Sequence, residues 1–167
     1  MLGKWSLVYF GFTNCPDICP AELDKVGGVM DAIGAFCLLA SNSFSLPTAA
    51  RCTVQKHGPV FRPLFISVDP ARDTPSQVKQ YLQEFHPSYI GLVGSYEDTK
   101  AICRQYRVYF STPPNADPKG DYLVDHSIFV YLMDPDGKFV EAFGQSVGAD
   151  EMVEKITKAV EELDGRT

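Results

Sequence analysis

Cys15 and Cys19 stand four positions apart in Thr13-Asn14-Cys15-Pro16-Asp17-Ile18-Cys19-Pro20. Two soft sulfurs at that spacing can close a disulfide, which needs Cα atoms about 4.4 to 6.8 Å apart, or bind one soft metal ion. A residue before proline is pushed out of the helical region, so neither cysteine is expected in mid-helix. The sequence predicts a helix starting at the second proline, with Cys19 as N-cap, Pro20 at N1 and Glu22 at N3. The free amides and positive dipole end of that helix stabilise thiolate over thiol, so Cys19 in particular is expected to be more acidic than a free cysteine near about 8.5. A structural disulfide or a pair of buried thiols is the plainer reading. The two prolines and the helix start keep the turn near the surface and favour a chemical role.

A third ligand would decide between redox chemistry and metal binding. Of the three histidines, His57 lies in a stretch without periodicity, and His86 ends a helix before Pro87, where a positive charge is favourable without further function. His126 stands immediately before an apolar strand. On the residues alone it is as well read as a hydrogen-bonded core histidine as a ligand. A Cys2His set suits Cu(I) and, with an open fourth position, Zn(II). Asp125 is a candidate acceptor for the imidazole, or equally a surface carboxylate.

The elements that must position these residues follow from patterning. Trp5 to Phe12 is apolar on both alternating faces, as a central strand is. Leu23, Val26, Met30 and Ile33 give the first helix its buried face, with Gly27-Gly28 softening it by about 1 kcal/mol per glycine. From Gly34 to about Arg62 no period is sustained, and the stretch is read as an irregular insertion. Leu64 to Val68 is a second strand. Thr74-Pro75-Ser76-Gln77 is a capping box, opening a helix with Val78, Tyr81, Leu82 and Phe85 that Pro87 stops. Ile90 to Val93 is a short strand, and Ser95 with Asp98 opens a helix to about Tyr106. Ser111 to Asp121 is polar loop. Ser127 to Met133 and Lys138 to Phe143 form a hairpin around Asp134-Pro135-Asp136-Gly137, before a last helix carrying Val153, Ile156, Val160 and Leu163. Alternating strands and helices imply a parallel core sheet that the hairpin makes mixed, an α/β fold.

At 167 residues this is one domain's worth of chain. Fifteen Lys and Arg against twenty-one Asp and Glu leave a net charge of −6 without a basic cluster, which argues against nucleic-acid binding. The longest apolar run, Ala32 to Ala40, falls far below the roughly 20 residues of a membrane span, and Met1 to Trp5 has no signal-peptide character. Five cysteines leave at least one thiol unpaired in a monomer. Cys37 and Cys52 are read as incidental to the insertion and Cys103 as core. Asp69, Arg72 and Asp73 most simply tie a loop together, with partner contact as the alternative. Tyr106, Tyr109, Phe110 and Tyr122 are read as packing residues, and Asp117 and Asp121 as a solvated loop.

Taken together, YFGFTNCPDICP, FISVDPARDT, YRVYFS and DYLVDHSIFVYLMDPDGKF resemble the Sco/SenC family, thioredoxin-like copper proteins of cytochrome c oxidase assembly. The resemblance implies a thioredoxin-like α/β/α fold over residues 1–167, with the insertion at about 34–62. It implies that Cys15, Cys19 and His126 are copper ligands, binding Cu(I) and in many members Cu(II). It implies delivery of copper to the oxidase's Cu(A) site, or reduction of that site's cysteines. Its partners would be the copper-binding subunit of the oxidase and other copper chaperones, at the mitochondrial inner membrane facing the intermembrane space or in a bacterial periplasm. The family pattern has histidine where Asn14 stands, a shorter connection at 34–62, and an anchor and strand pair ahead of the Trp5 strand. The alternatives are a thiol:disulfide oxidoreductase or thiol peroxidase using Cys15 and Cys19, and a truncated, inactive form.

Overall fold

β1 (Trp5–Gly11) is buried along its whole length, as an apolar strand flanked on both sides must be. The structure is a computed structural model describing residues 3–42, 61–113, 117 and 120–164. After β1 come α1 (Ile18–Asn42), β2 (Phe61–Ser67), α2 (Pro75–Gln83), β3 (Ile90–Leu92) and α3 (Tyr96–Tyr106). A two-stranded ribbon, β4 (Phe110–Ser111) with β5 (Asp125–His126), precedes β6 (Phe129–Met133), β7 (Phe139–Gly144) and α4 (Ala149–Asp164). The main sheet runs β3-β2-β1-β6-β7, with β1 parallel to β2 and antiparallel to β6. This is the mixed α/β sheet that the alternation of elements predicts.

The side-chain alternation of β1 assigns the helices to layers. Tyr9 faces Phe65 of β2, which meets Tyr81 of α2, and its hydroxyl reaches Cys19 of α1. Helix α4 packs on α1, so these three helices share one face. Phe10 points the other way, 5.2 Å from Tyr106 of α3 and 6.0 Å from Tyr131 of β6. The result is three layers, with the sheet in the middle.

Both capping boxes are present: Thr74 Oγ1 accepts from Gln77 N, and Ser95 Oγ accepts from Asp98 N. Gly91 is where α2 comes closest to the sheet. A β-carbon there would run into Val78 Cγ1 and lie 2.9 Å from Leu82 Cδ1. Gly91→Ala is therefore expected to lower the urea midpoint, by about 2 kcal/mol of stability, as overpacked cores do. An unchanged midpoint would mean that α2 shifts freely.

The irregular reading of Gly34 to Arg62 is corrected at both ends. Helix α1 runs on to Asn42, nine residues past Ile33, because Ala35-Phe36-Cys37-Leu38-Leu39-Ala40 contains no breaker and one glycine is a tolerable cost. β2 begins at Phe61 and passes through Pro63. The β3 pairing starts at Leu64, so at Pro63 the strand is still an edge, where a missing N–H is tolerated. The remainder of that stretch, with His57 and Cys52, lies outside the described residues, as does the side chain of Cys37.

Candidate metal centre

The β1–α1 turn carries Cys15, and the first turn of α1 carries Cys19. Helix α1 begins at Ile18, with Ala21 N bonding to Asp17 O, so Cys19 sits inside the helix rather than at its N-cap. Pro20 then falls within the first turn, where its lack of an N–H costs nothing. Cys15, just ahead of the helix, takes the capping role. Its Sγ accepts from Cys19 N at 3.4 Å.

His126 arrives from the far end of the chain. The β4–β5 ribbon pairs it with Phe110, and Ser127 N donates to Tyr109 O at 2.9 Å just beyond. Its Nδ1 lies 3.1 Å from the Ser127 carbonyl oxygen. A carbonyl only accepts, so Nδ1 carries the proton and Nε2 presents its lone pair. Nε2 lies 3.5 Å from Cys19 Sγ. The ring is held edge-on by Phe12 at 5.8 Å and Tyr9 at 6.2 Å. The orienting oxygen is thus the Ser127 carbonyl and not the Asp125 carboxylate, which is exposed.

One ligand atom from each of Cys15, Cys19 and His126 lies within 4.8 Å of the others. Three donors around an ion at about 2.0 to 2.3 Å would be separated by about 3.5 to 4 Å, so a small contraction encloses one. The donor set is two soft sulfurs and an imidazole, which fits a soft or borderline cation. A groove of about 570 Å³ lined by Phe12, Cys15, Ile18, Tyr109, Leu123 and His126 leads to it. Tyr109, expected to pack, is 64% exposed on that groove.

The thiols differ, and in the direction opposite to that expected from the sequence. The Cys15 thiol is lowered to about 3, chiefly by the hydrogen bond from Cys19, with the Cys19 amide helping against burial. Cys19 is fully buried, and its thiol is pushed well above the usual range by its bond to Cys15 and by desolvation. The two share a proton that stays on Cys19. The helix amide favours Cys15 because the turn places that sulfur, not Cys19's, over the helix end.

Asp73 braces the turn. Its Oδ1 accepts from Thr13 Oγ1 at 2.6 Å, and its Oδ2 accepts from Ser67 Oγ at 2.6 Å and Thr13 N at 3.2 Å. Burial raises its carboxyl above the ordinary value against those bonds. Asp69 binds Arg72 Nε and the Tyr122 hydroxyl, and the Arg72 guanidinium stacks 3.5 Å from the Tyr122 ring centre. The reading of this loop as a tie is what the contacts show. Asp73→Ala should cost about 3 kcal/mol in urea unfolding, because it strands buried donors that now meet a carboxylate. A loss under about 0.5 kcal/mol would mean that water replaces it.

The family model described as SCO1/SenC matches residues 1–161. The chain belongs to the SCO1/SenC family. Among SCO1/SenC relatives, the mitochondrial protein SCO1 of Saccharomyces cerevisiae is 48% identical over 164 residues, covering 96% of this chain and 49% of that protein. The human mitochondrial SCO1 homolog is 42% identical over 155 residues, covering 93% and 45%. The crystal structure of yeast Sco1 with copper bound superposes with a TM-score of 0.77 at 49% identity, over 95% of this chain and 77% of that one. Bradyrhizobium japonicum ScoI with copper bound gives 0.71 at 35% identity, over 95% and 86%. The chain spans about half the length of the curated relatives it matches. The likeness to these SCO1/SenC structures makes the fold thioredoxin-like. Among the described residues, no helix is long and apolar enough to cross a membrane.

Four contributors to this SCO1/SenC site go unnamed in the reading of the sequence. Tyr9, Ser67 and the Ser127 carbonyl carry no motif, since each acts through a fold contact. Gly11 could have been noticed: a lone glycine ending an apolar strand signals a close approach, here of Cys19 Sγ, 2.9 Å from where a β-carbon would lie.

Proposed function

We propose that Cys15, Cys19 and His126 bind one copper ion as cargo and that the protein passes it on during assembly of cytochrome c oxidase. The observation that carries this reading is the convergence within 4.8 Å of three donor atoms from two distant segments of the chain. The copper named in the yeast and Bradyrhizobium neighbours supports the choice of metal. The relatives named as mitochondrial support that location, and we extend it to the intermembrane-space face of the inner membrane. The recipient we propose is the copper-binding subunit of the oxidase, with other copper chaperones as donors.

The site's own residues account for capture and release. Cys15 enters as a thiolate, already stabilised by the Cys19 amide. Cys19 gives up its proton when a cation replaces it between the donors, and His126 offers Nε2 without losing one. Three donors leave a coordination position open toward the groove, where an incoming thiolate attaches before the first ligand leaves.

A second reading, reduction of a partner's cysteines, is favoured by the acidity of Cys15, which supplies an attacking thiolate at neutral pH. Anaerobic copper titration of the reduced protein, with metal counted per chain, separates the two. One ion in wild type, lost in Cys15→Ser and Cys19→Ser, is the expected result. No ion bound by a folded, reduced protein would leave the thiol reading in its place.

A further inference from the structure

Tyr9 lies two residues ahead of Gly11 on β1, 1% exposed, with its hydroxyl donating to Cys19 Sγ at 3.5 Å. Its ring is fixed between Phe65, at 6.3 Å, and the edge-on His126, at 6.2 Å. The approach depends on Gly11: a β-carbon there would lie 2.9 Å from Cys19 Sγ and 3.0 Å from the Tyr9 ring. A buried hydroxyl needs a partner, and here the partner is a sulfur of the cysteine pair.

We propose that Tyr9 is a positioning residue for Cys19, its hydroxyl holding the sulfur toward Cys15 and His126 and stabilising the reduced pair over the disulfide. A hydrogen bond strengthens with charge on its acceptor, and a reduced sulfur carries more than a disulfide sulfur does. Losing the hydroxyl therefore favours the disulfide. The exchange is balanced with dithiothreitol as reductant. The Cys15–Cys19 bond breaks, two electrons and one proton pass to the pair, the second proton goes to solvent because Cys15 stays a thiolate, and dithiothreitol closes its own disulfide.

The test is the equilibrium of the copper-free protein with dithiothreitol at fixed pH. Tyr9→Phe keeps the ring and should make the disulfide about tenfold harder to reduce, a potential more negative by about 30 mV. Tyr81→Phe removes a buried hydroxyl that has no hydrogen-bond partner among the described residues, and it should move the potential far less than Tyr9→Phe does. In wild type, the protected Tyr9 hydroxyl proton should move upfield in the NMR spectrum when the pair is oxidised, a measurement that needs no variant. An unchanged potential in a folded Tyr9→Phe, an equal shift in Tyr81→Phe, or an unmoved hydroxyl resonance would overturn the assignment. None of these measurements involves copper, so the inference stands or falls apart from the metal reading.

Discussion

His126→Ala should hold Cu(I) at least about a hundredfold more weakly than wild type, while its Cys15–Cys19 disulfide still forms. Loss of a partner behind a ligand commonly costs about 10- to 100-fold in metal affinity, and here the proposed ligand itself is removed. The sulfurs do not depend on His126 for their placement, because Cys15 is held by the Cys19 amide and the turn by Asp73. Competition with a Cu(I) chelator measures the affinity, and thiol counting after mild oxidation measures the disulfide. Unchanged affinity would remove His126 from the centre. Loss of both properties would mean that the substitution unfolds the β4–β5 ribbon.

The reduced, metal-free protein should react with iodoacetamide at Cys15 at a nearly constant rate from pH 5 to 8. An ordinary thiol near 8.5 gains about a thousandfold over that range as its thiolate appears. Cys15, lowered to about 3, is already ionised throughout. Its lower basicity makes each thiolate a poorer nucleophile, so it should outpace a free thiol by about tenfold at pH 5 and fall behind it at pH 8. Cys103, held at about 11 by burial, should stay unmodified. A rate climbing about tenfold per pH unit would show that Cys15 is an ordinary thiol. Stability follows the same asymmetry. Between about 3 and the ordinary thiol range the unfolded chain binds more protons at Cys15, so this contribution rises with pH and is lost as pH falls through about 3. Cys19, shifted upward, retains its proton across that window and does not oppose the trend. Urea midpoints of wild type and Cys15→Ser, compared at pH 4 and pH 7, should diverge more at pH 7.

Local chemistry was readable wherever local rules decide. The capping boxes at Thr74 and Ser95, the buried β1 and the turn closed by Asp134 all involve residues within a few positions of one another. The cysteine pair and His126 were nameable as candidates from residue type and spacing. Their convergence was expected only through the likeness to a known fold and family, because in this chain it depends on β6 pairing with β1 and on the β4–β5 ribbon. The acidity of the thiols was misread for a smaller reason. Starting α1 at Ile18 instead of Pro20 moves Cys19 into the helix and gives the amide to Cys15. The end of α1 was misplaced because loss of the helical period after Ile33 was read as the end of the helix, although Ala35 to Ala40 contains no breaker.

Cys19 and His126 are separated by 107 positions in the chain. Their meeting is a contact of very high sequence separation, and loop-closure entropy makes such contacts late to form. An emerging or partly opened chain therefore presents Cys15 and Cys19 without His126, and on the proposed copper reading it lacks the complete set. On that reading, occupancy of the centre would report that the fold is finished. An ion bound there would also act as a clasp across that long loop, slowing unfolding most for openings that pull the β4–β5 ribbon away from the cysteine turn.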